Sequence, residues 1–345
     1  MKLQRVLRYA VLFASLLIPA CRSGSGGGSQ TGQMYGKYKL FGVYLDQPIG
    51  EQKARENATD VLTQLQTEKN LCLIGLWAYN PPAILSAVKD AGRTGDVKIV
   101  GFDEDFATLQ GIQDGQIYGT VVQDPFGFGY ESVKLMAELA RKNNPGDGKL
   151  KVGFVSNNPA TFWTIAEAGC RKAEAETGVE VVFRKPAQGD PAVQKEIIES
   201  LMGQGIKAIA ISVIDPKGQK SLLDEVAAKI PLITQDNDAP DTKRLHYIGT
   251  DNYRAGRAVG KLIKEALPQG GTIAIFVGQL EPLNARQRRD GVLDELADKP
   301  VPGEAEVNKD VVRYVPHRVI TKDGGEGRIA VAKFRADLEA LLGKK

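Results

Sequence analysis

Two stretches of this 345-residue chain follow one plan. In the first, a strand-like run over Lys39–Tyr44 leads to a helical pattern from Glu51 to Leu65. The apolar run Leu71–Ala78, the turn Tyr79-Asn80-Pro81-Pro82 and a helix over Ala83–Ala91 follow, before a strand, Val97-Lys98-Ile99-Val100-Gly101-Phe102, that stops at Asp103. In the second, Val179–Phe183 is strand-like and Ala192–Met202 helical. Then come Ile206–Val213, the turn Asp215-Pro216, a helix over Gln219–Lys229, and a strand through Ile233-Thr234-Gln235 that stops at Asp236. Short unbroken apolar runs alternating with helical patterns read as parallel strands buried on both faces. The expected fold class is therefore α/β, with two similar doubly wound parallel-sheet lobes. Ligands bind beyond the carboxyl ends of the strands in such sheets. Aspartate also caps turns, but a matched pair, Asp103 and Asp236, at equivalent strand ends favours a site.

The rest of the chain fits this frame. A helical run over Phe106–Asp114 and a strand over Ile117–Gln123 lead into Gln123-Asp124-Pro125-Phe126-Gly127, a stretch suited to backbone rotation. A helix over Tyr130–Lys142 and a polar loop, Asn143–Lys149, precede the strand Val152-Gly153-Phe154-Val155-Ser156. That strand opens into Asn157-Asn158-Pro159-Ala160-Thr161-Phe162-Trp163. Amides there both donate and accept hydrogen bonds, and Phe162 and Trp163 either cover an apolar ligand face or belong to the helix core. Gly249-Thr250-Asp251-Asn252 starts a helix whose Gly256 and Gly260 allow close packing. The strand Thr272–Gly278 is followed by Asn284-Ala285-Arg286, with Arg286 near a helix start; Arg288 and Arg289 read as solvated surface charges. Val311–Ile320 is a late strand or crossover, and Ile329–Leu342 a closing amphipathic helix.

At the amino end, residues 1–20 combine Lys2, Arg5 and Arg8 with an apolar core, the pattern of an export signal. Ile18-Pro19-Ala20-Cys21 resembles a bacterial lipobox, which makes Cys21 the candidate lipidation site and residues 21–34 a Gly/Ser-rich tether. The formal charge of +3 lies wholly in the first twenty residues, so the remainder has no general pull toward nucleic acid or acidic membranes. Cys72 and Cys170 fall in different lobes and read as buried free thiols. The two histidines, His246 and His317, lack metal-ligand spacing. No Gly-x-Gly-x-x-Gly follows a strand, and no helix-turn-helix precedes the first lobe. A metal, a cofactor, an α/β nucleotide-dependent enzyme and a repressor are thereby disfavoured.

Taken as a set, Val155-Ser156-Asn157-Asn158-Pro159, Phe162-Trp163, Thr234-Gln235-Asp236-Asn237-Asp238, Gly249-Thr250-Asp251-Asn252, Asn284-Ala285-Arg286, Asn80, Gly101-Phe102-Asp103 and Gln123-Asp124 resemble the periplasmic sugar-binding proteins of the ribose-binding type. The resemblance covers nearly all of residues 35–320. It implies a type I periplasmic binding protein fold with a sugar held between two hinged lobes. Asn158, Phe162, Trp163, Asp236 and Asn237 would come from one lobe, and Arg286, Asn80, Asp103 and Gln123 from the other. Residues 35–123 with 270–297 and 305–345 would form the lobe resembling the family's C-terminal lobe, and 124–269 the lobe resembling its N-terminal one. Segment order is permuted: the unit over 150–296 comes first in the family, while the tail stays last. Two outcomes follow, lobes that assemble and close on ligand, or lobes that assemble without closing. By the resemblance the chain is no enzyme. It is a monomeric exported receptor for a neutral pentose or hexose, serving an ABC importer permease and touching the membrane only through its lipid anchor. A sugar sensor for a membrane kinase or chemoreceptor is the alternative.

Overall fold

The computed structural model describes residues 32–146, 148–160, 162–302 and 311–343. The export signal and Cys21 lie outside the described residues. In chain order, β1 (Met34–Tyr35), β2 (Tyr38–Leu45), α1 (Glu51–Gln64), β3 (Leu71–Gly75), α2 (Asn80–Asp90), β4 (Lys98–Phe102), α3 (Phe106–Gln113) and β5 (Gly119–Val122) build most of the first lobe. The chain continues through α4 (Pro125–Asn143), β6 (Lys151–Val155), α5 (Phe162–Thr177), β7 (Glu180–Arg184), α6 (Pro191–Gly203), β8 (Ile209–Ile211), α7 (Lys220–Ala227), β9 (Leu232–Gln235) and β10 (His246–Gly249). It closes with α8 (Asn252–Ala266), β11 (Gly271–Val277), α9 (Leu283–Leu296), β12 (Val312–Tyr314), β13 (Arg318–Thr321), β14 (Arg328–Ala330) and α10 (Val331–Leu341).

Two sheets result. The first runs β1-β2-β11-β3-β4-β5-β13-β14 and the second β12-β10-β9-β8-β6-β7. Their parallel centres, β2-β11-β3-β4-β5 and β7-β6-β8-β9-β10, have the same spatial order if β11 is counted as the first lobe's opening strand. The first lobe is thus permuted relative to the second: its central strand arrives after the whole second sheet core has been threaded. β3 is buried at every position and β4 at all but its first, because helices cover both faces. α1, α2, α3 and α10 pack on one face of the first sheet and α8 and α9 on the other. In the second lobe α4 and α5 cover one face and α6 and α7 the other.

The pairs α8/α9 and α4/α5 are counterparts, and both cross at glycines. A Cβ on Gly129 would run into the Ala166 carbonyl and one on Gly169 into that of Phe126. In the other pair Gly256 faces the Arg288 carbonyl and Gly291 that of Tyr253. Helix starts are set by side chains that accept otherwise orphaned N–H groups. Asp124 accepts from Gly127 and Asp251 from Arg254, each where the chain has just passed from one lobe to the other.

The chain also passes between lobes over residues 315–317, from β12 to β13. Two lobe boundaries differ from the expected ones. α8 packs against α9, β4 and β5, so residues 252–266 belong to the first lobe rather than to a 124–269 unit. The apolar face of α8 (Ala255, Val259, Leu262, Ile263) draws it there. β12 joins β10 at the edge of the second sheet, so residues 312–314 leave the first lobe. Cys72 and Cys170 are buried free thiols.

Candidate functional site

Asp103 follows β4 and Asp236 follows β9, and both adopt left-handed backbone, φ 68° and 57°. Outside glycine that conformation is tolerated mainly by Asn and Asp. Each aspartate donates its N–H to the next strand in its own sheet, Asp103 to Val121 O and Asp236 to Ile248 O, both near 3.0 Å. The turn swings each carboxylate across the end of its sheet toward the other lobe. The two line one cavity of about 730 Å³ between the lobes, at the carboxyl ends of the strands. A second hollow of about 700 Å³ lies at the opposite, amino ends of β3, β4 and β11. There Arg93 is already spent on the Leu65 and Glu68 carbonyls.

Arg288 pairs with Asp103, and its charge also acts on Asp236. It is 1% exposed, with Nη1 3.5 Å from Asp103 Oδ2 and 2.8 Å from the Leu76 carbonyl. Nε donates to Asn252 Oδ1 at 2.9 Å, and the guanidinium carbon lies 4.5 Å from the Phe102 ring centre. Asp103 also accepts from Gln123 Nε2 at 2.9 Å. Burial pushes the Asp103 carboxyl up, against Arg288 and Gln123, which hold it down. Burial likewise pushes Asp236 up to about 6, with Arg288 and the Ser212 hydroxyl, donating at 2.8 Å, acting against it.

In the second lobe a chain of side chains links the wall to Asp236. Asn158 Oδ1 accepts from Trp163 Nε1 at 3.2 Å and from Ala160 N at 2.9 Å, and its amide donates to Asn157 Oδ1 at 2.8 Å. Asn157 in turn reaches Asp236 Oδ2 at 3.4 Å. Phe162 and Trp163 line the cavity and belong to the core at once, 8% and 1% exposed, meeting edge-on at 5.0 Å. Either reading of this aromatic pair alone was too narrow.

Of the residues singled out from sequence, Asn158, Phe162, Trp163, Asp236, Asp103 and Gln123 are brought together here. Three are placed elsewhere. Arg286 turns back onto the Leu280 and Glu281 carbonyls at the start of α9, and Arg288, two residues on, occupies the cavity instead. Asn80 is fully buried behind the wall. It donates to Asp46 Oδ2 at 2.7 Å, where Asn57 and Tyr79 also converge. Burial pushes that Asp46 carboxyl up to about 6. Asn237 is fully buried beside the cavity, its amide on the Val213 carbonyl and its oxygen accepting from the Asn284 backbone N–H at 3.0 Å. Asn157, Asn284 and Arg288 are cavity residues that the sequence reading passed over as site residues.

Four buried polar atoms of cavity-lining residues have no partner among the described residues: Trp77 Nε1, Gln123 Oε1, Asn284 Oδ1 and Arg288 Nη2. Two accept and two donate. Buried polar groups are ordinarily paired, and groups that both donate and accept, as hydroxyls do, can pair with donors and acceptors of this kind.

The model of the periplasmic binding protein domain family matches residues 24–144 and 152–323. The ribose import binding protein RbsB of Bacillus subtilis (strain 168) is 26% identical over 167 residues, which is 47% of this chain and 53% of that protein. The xylose/arabinose-binding protein XylF of Sulfolobus acidocaldarius is 26% identical over 152 residues, 41% of this chain and 37% of its own. Among solved structures, an ABC transporter solute binding protein from Burkholderia graminis C4D1M in complex with D-arabinose is 29% identical. It covers 49% of this chain and 56% of that one, with a TM-score of 0.43. The chain spans about half the length of the curated relatives it matches.

Proposed function

The chain belongs to the periplasmic binding protein domain family, and from that premise we propose that it is an exported receptor that binds a neutral pentose or hexose ring in the cleft between its lobes. The carrying observation is the set of unpartnered donors and acceptors at Gln123, Asn284 and Arg288, flanked by Asp103 and Asp236. Carboxylates and a guanidinium make the stronger, charge-assisted bonds to hydroxyls. Phe162 and Trp163 offer an apolar wall to the C–H face of a ring. Two lobes joined by short crossings close by hinge motion.

Delivery to an ABC importer permease is the partner reading, in keeping with relatives named as import binding proteins. Anchoring through a lipidated Cys21 would hold the monomeric receptor at the membrane surface. Titrating the protein with pentoses, hexoses and polyols, followed by the fluorescence of Trp77 and Trp163, tests the reading. A saturable change with one sugar, lost in Asp103→Ala and Asp236→Ala, is the expected result. A folded protein silent to the whole panel overturns it.

A further inference from the structure

The cleft is wider than a single ring requires, and its two halves differ. Asp103, Asp236, Arg288, Gln123 and Asn284 are all buried at its floor. Toward solvent, the wall is half-buried Trp77 and Tyr79 with the amides of Gln47, Gln188 and Gln279.

Packing and hydrogen bonds hold Trp77, Tyr79 and Gln47 of this wall in place. Trp77 lies on the backbone of Gly278, where a Cβ would run into its ring, so a glycine at the end of β11 makes the seat for the indole. Tyr79 meets Trp77 edge-on, centroids 6.2 Å apart at 81°, and is itself fixed by its hydroxyl donating to Asp46 Oδ2 at 3.1 Å. Gln47 is held by its amide on the Gly278 carbonyl at 3.2 Å. The Trp77 indole N–H is shielded from solvent and has no partner among the described residues. Leaving a buried donor unpaired is costly. An aromatic face held in place, with the amides of Gln188 and Gln279 nearby, repeats outside the floor the chemistry that a sugar ring needs.

We propose that this outer half is a second sugar subsite and that the ligand is a disaccharide. Its inner ring is held by the carboxylates and Arg288, and its outer ring lies against Trp77. The proposal rests on the sugar-binding reading above and extends it from one ring to two.

Calorimetric titration with glucose, galactose, xylose and arabinose, set beside disaccharides built from each, tests it. At least one disaccharide should bind about tenfold or more tightly than its constituent monosaccharide. Trp77→Ala should shrink that advantage to about twofold, and Trp77→Phe, which keeps the ring face, should restore most of it. Monosaccharides binding as tightly as every disaccharide, or a disaccharide advantage undiminished in Trp77→Ala, overturns the second subsite while leaving the receptor reading intact. Folded protein that binds neither size of sugar overturns both.

Discussion

The backbone N–H of Asn284, in the first turn of α9, donates to the side chain of Asn237 at 3.0 Å, and the two residues belong to different lobes. The helix-capping position before α9 is Pro282, which offers no side-chain acceptor. The first lobe's helix is therefore capped by the second lobe, and the bond exists only while the lobes are together. Asn237→Ala removes it at a cost of about 1 kcal/mol, the usual worth of a cap. The expected outcome is ligand affinity lower by about fivefold, with full compaction still reached at saturating ligand. Titration calorimetry and small-angle scattering read the two. Unchanged affinity would show that the bond is indifferent to closure.

Arg288 and Arg286 are two residues apart and should behave as opposites. Truncating one partner of a buried charge pair costs about 2–5 kcal/mol, so Arg288→Ala should weaken sugar binding by about 30-fold or more. It should also destabilise the free protein, since Asp103 loses its guanidinium. Arg286→Ala should stay within about threefold of the parent, because that side chain is occupied with local carbonyls. Equal losses in the two variants would return Arg286 to the site.

The Asp236 carboxyl carries a pH signature. Its pKa in the folded protein is about 6, above the ordinary value of 3.8. The proton it holds therefore contributes stability that is fully present below about pH 4 and lost as pH rises through about 6. Asp236→Asn, which mimics the protonated form, should match the parent at pH 4. It should exceed the parent by about 3 kcal/mol at pH 7.5 in denaturant titration. Sugar affinity should run the other way, weakening as pH falls through 6, because the ionised carboxylate is the better acceptor. A stability difference that does not change with pH would refute this assignment.

Gly291 holds α9 against α8 three residues after Arg288. Gly291→Ala would force its Cβ into the Tyr253 carbonyl and should cost about 1–3 kcal/mol by overpacking. The same shift moves Arg288, so binding should fall as well. Denaturant melts and calorimetry on this variant separate packing from positioning; lost stability with unchanged affinity would contradict the link between Gly291 and Arg288.

Strands buried on both faces leave unbroken apolar runs, so both sheets were legible in the sequence, and the shared plan exposed Asp103 and Asp236. What sequence left undecided were matters of helix phase and docking. Four basic or amide residues in a row, Arg286 to Arg289, offer no periodicity of their own. The phase comes from Gly291, whose close approach to α8 fixes the inward face, and Asn284 and Arg288 share that face at a spacing of four. Asn80 was read as a loop amide, but α2 begins there rather than at Ala83. That start turns the side chain inward to Asp46. Gly256 and Gly260 announced a close helix contact without saying with which helix, and the lobe boundary at α8 went astray with them.

The insertion of β11 between β2 and β3 sets an order of events during synthesis. The second lobe's central strands, β6 to β10, leave the ribosome in one uninterrupted stretch and can pair as they emerge. The first lobe is made earlier but holds β2 and β3 apart, each with an unsatisfied edge, until residues 271–277 arrive. The half of the molecule that is translated first is thus the half that finishes folding last, and a nascent chain released before β11 would expose two strand edges that the complete protein never shows.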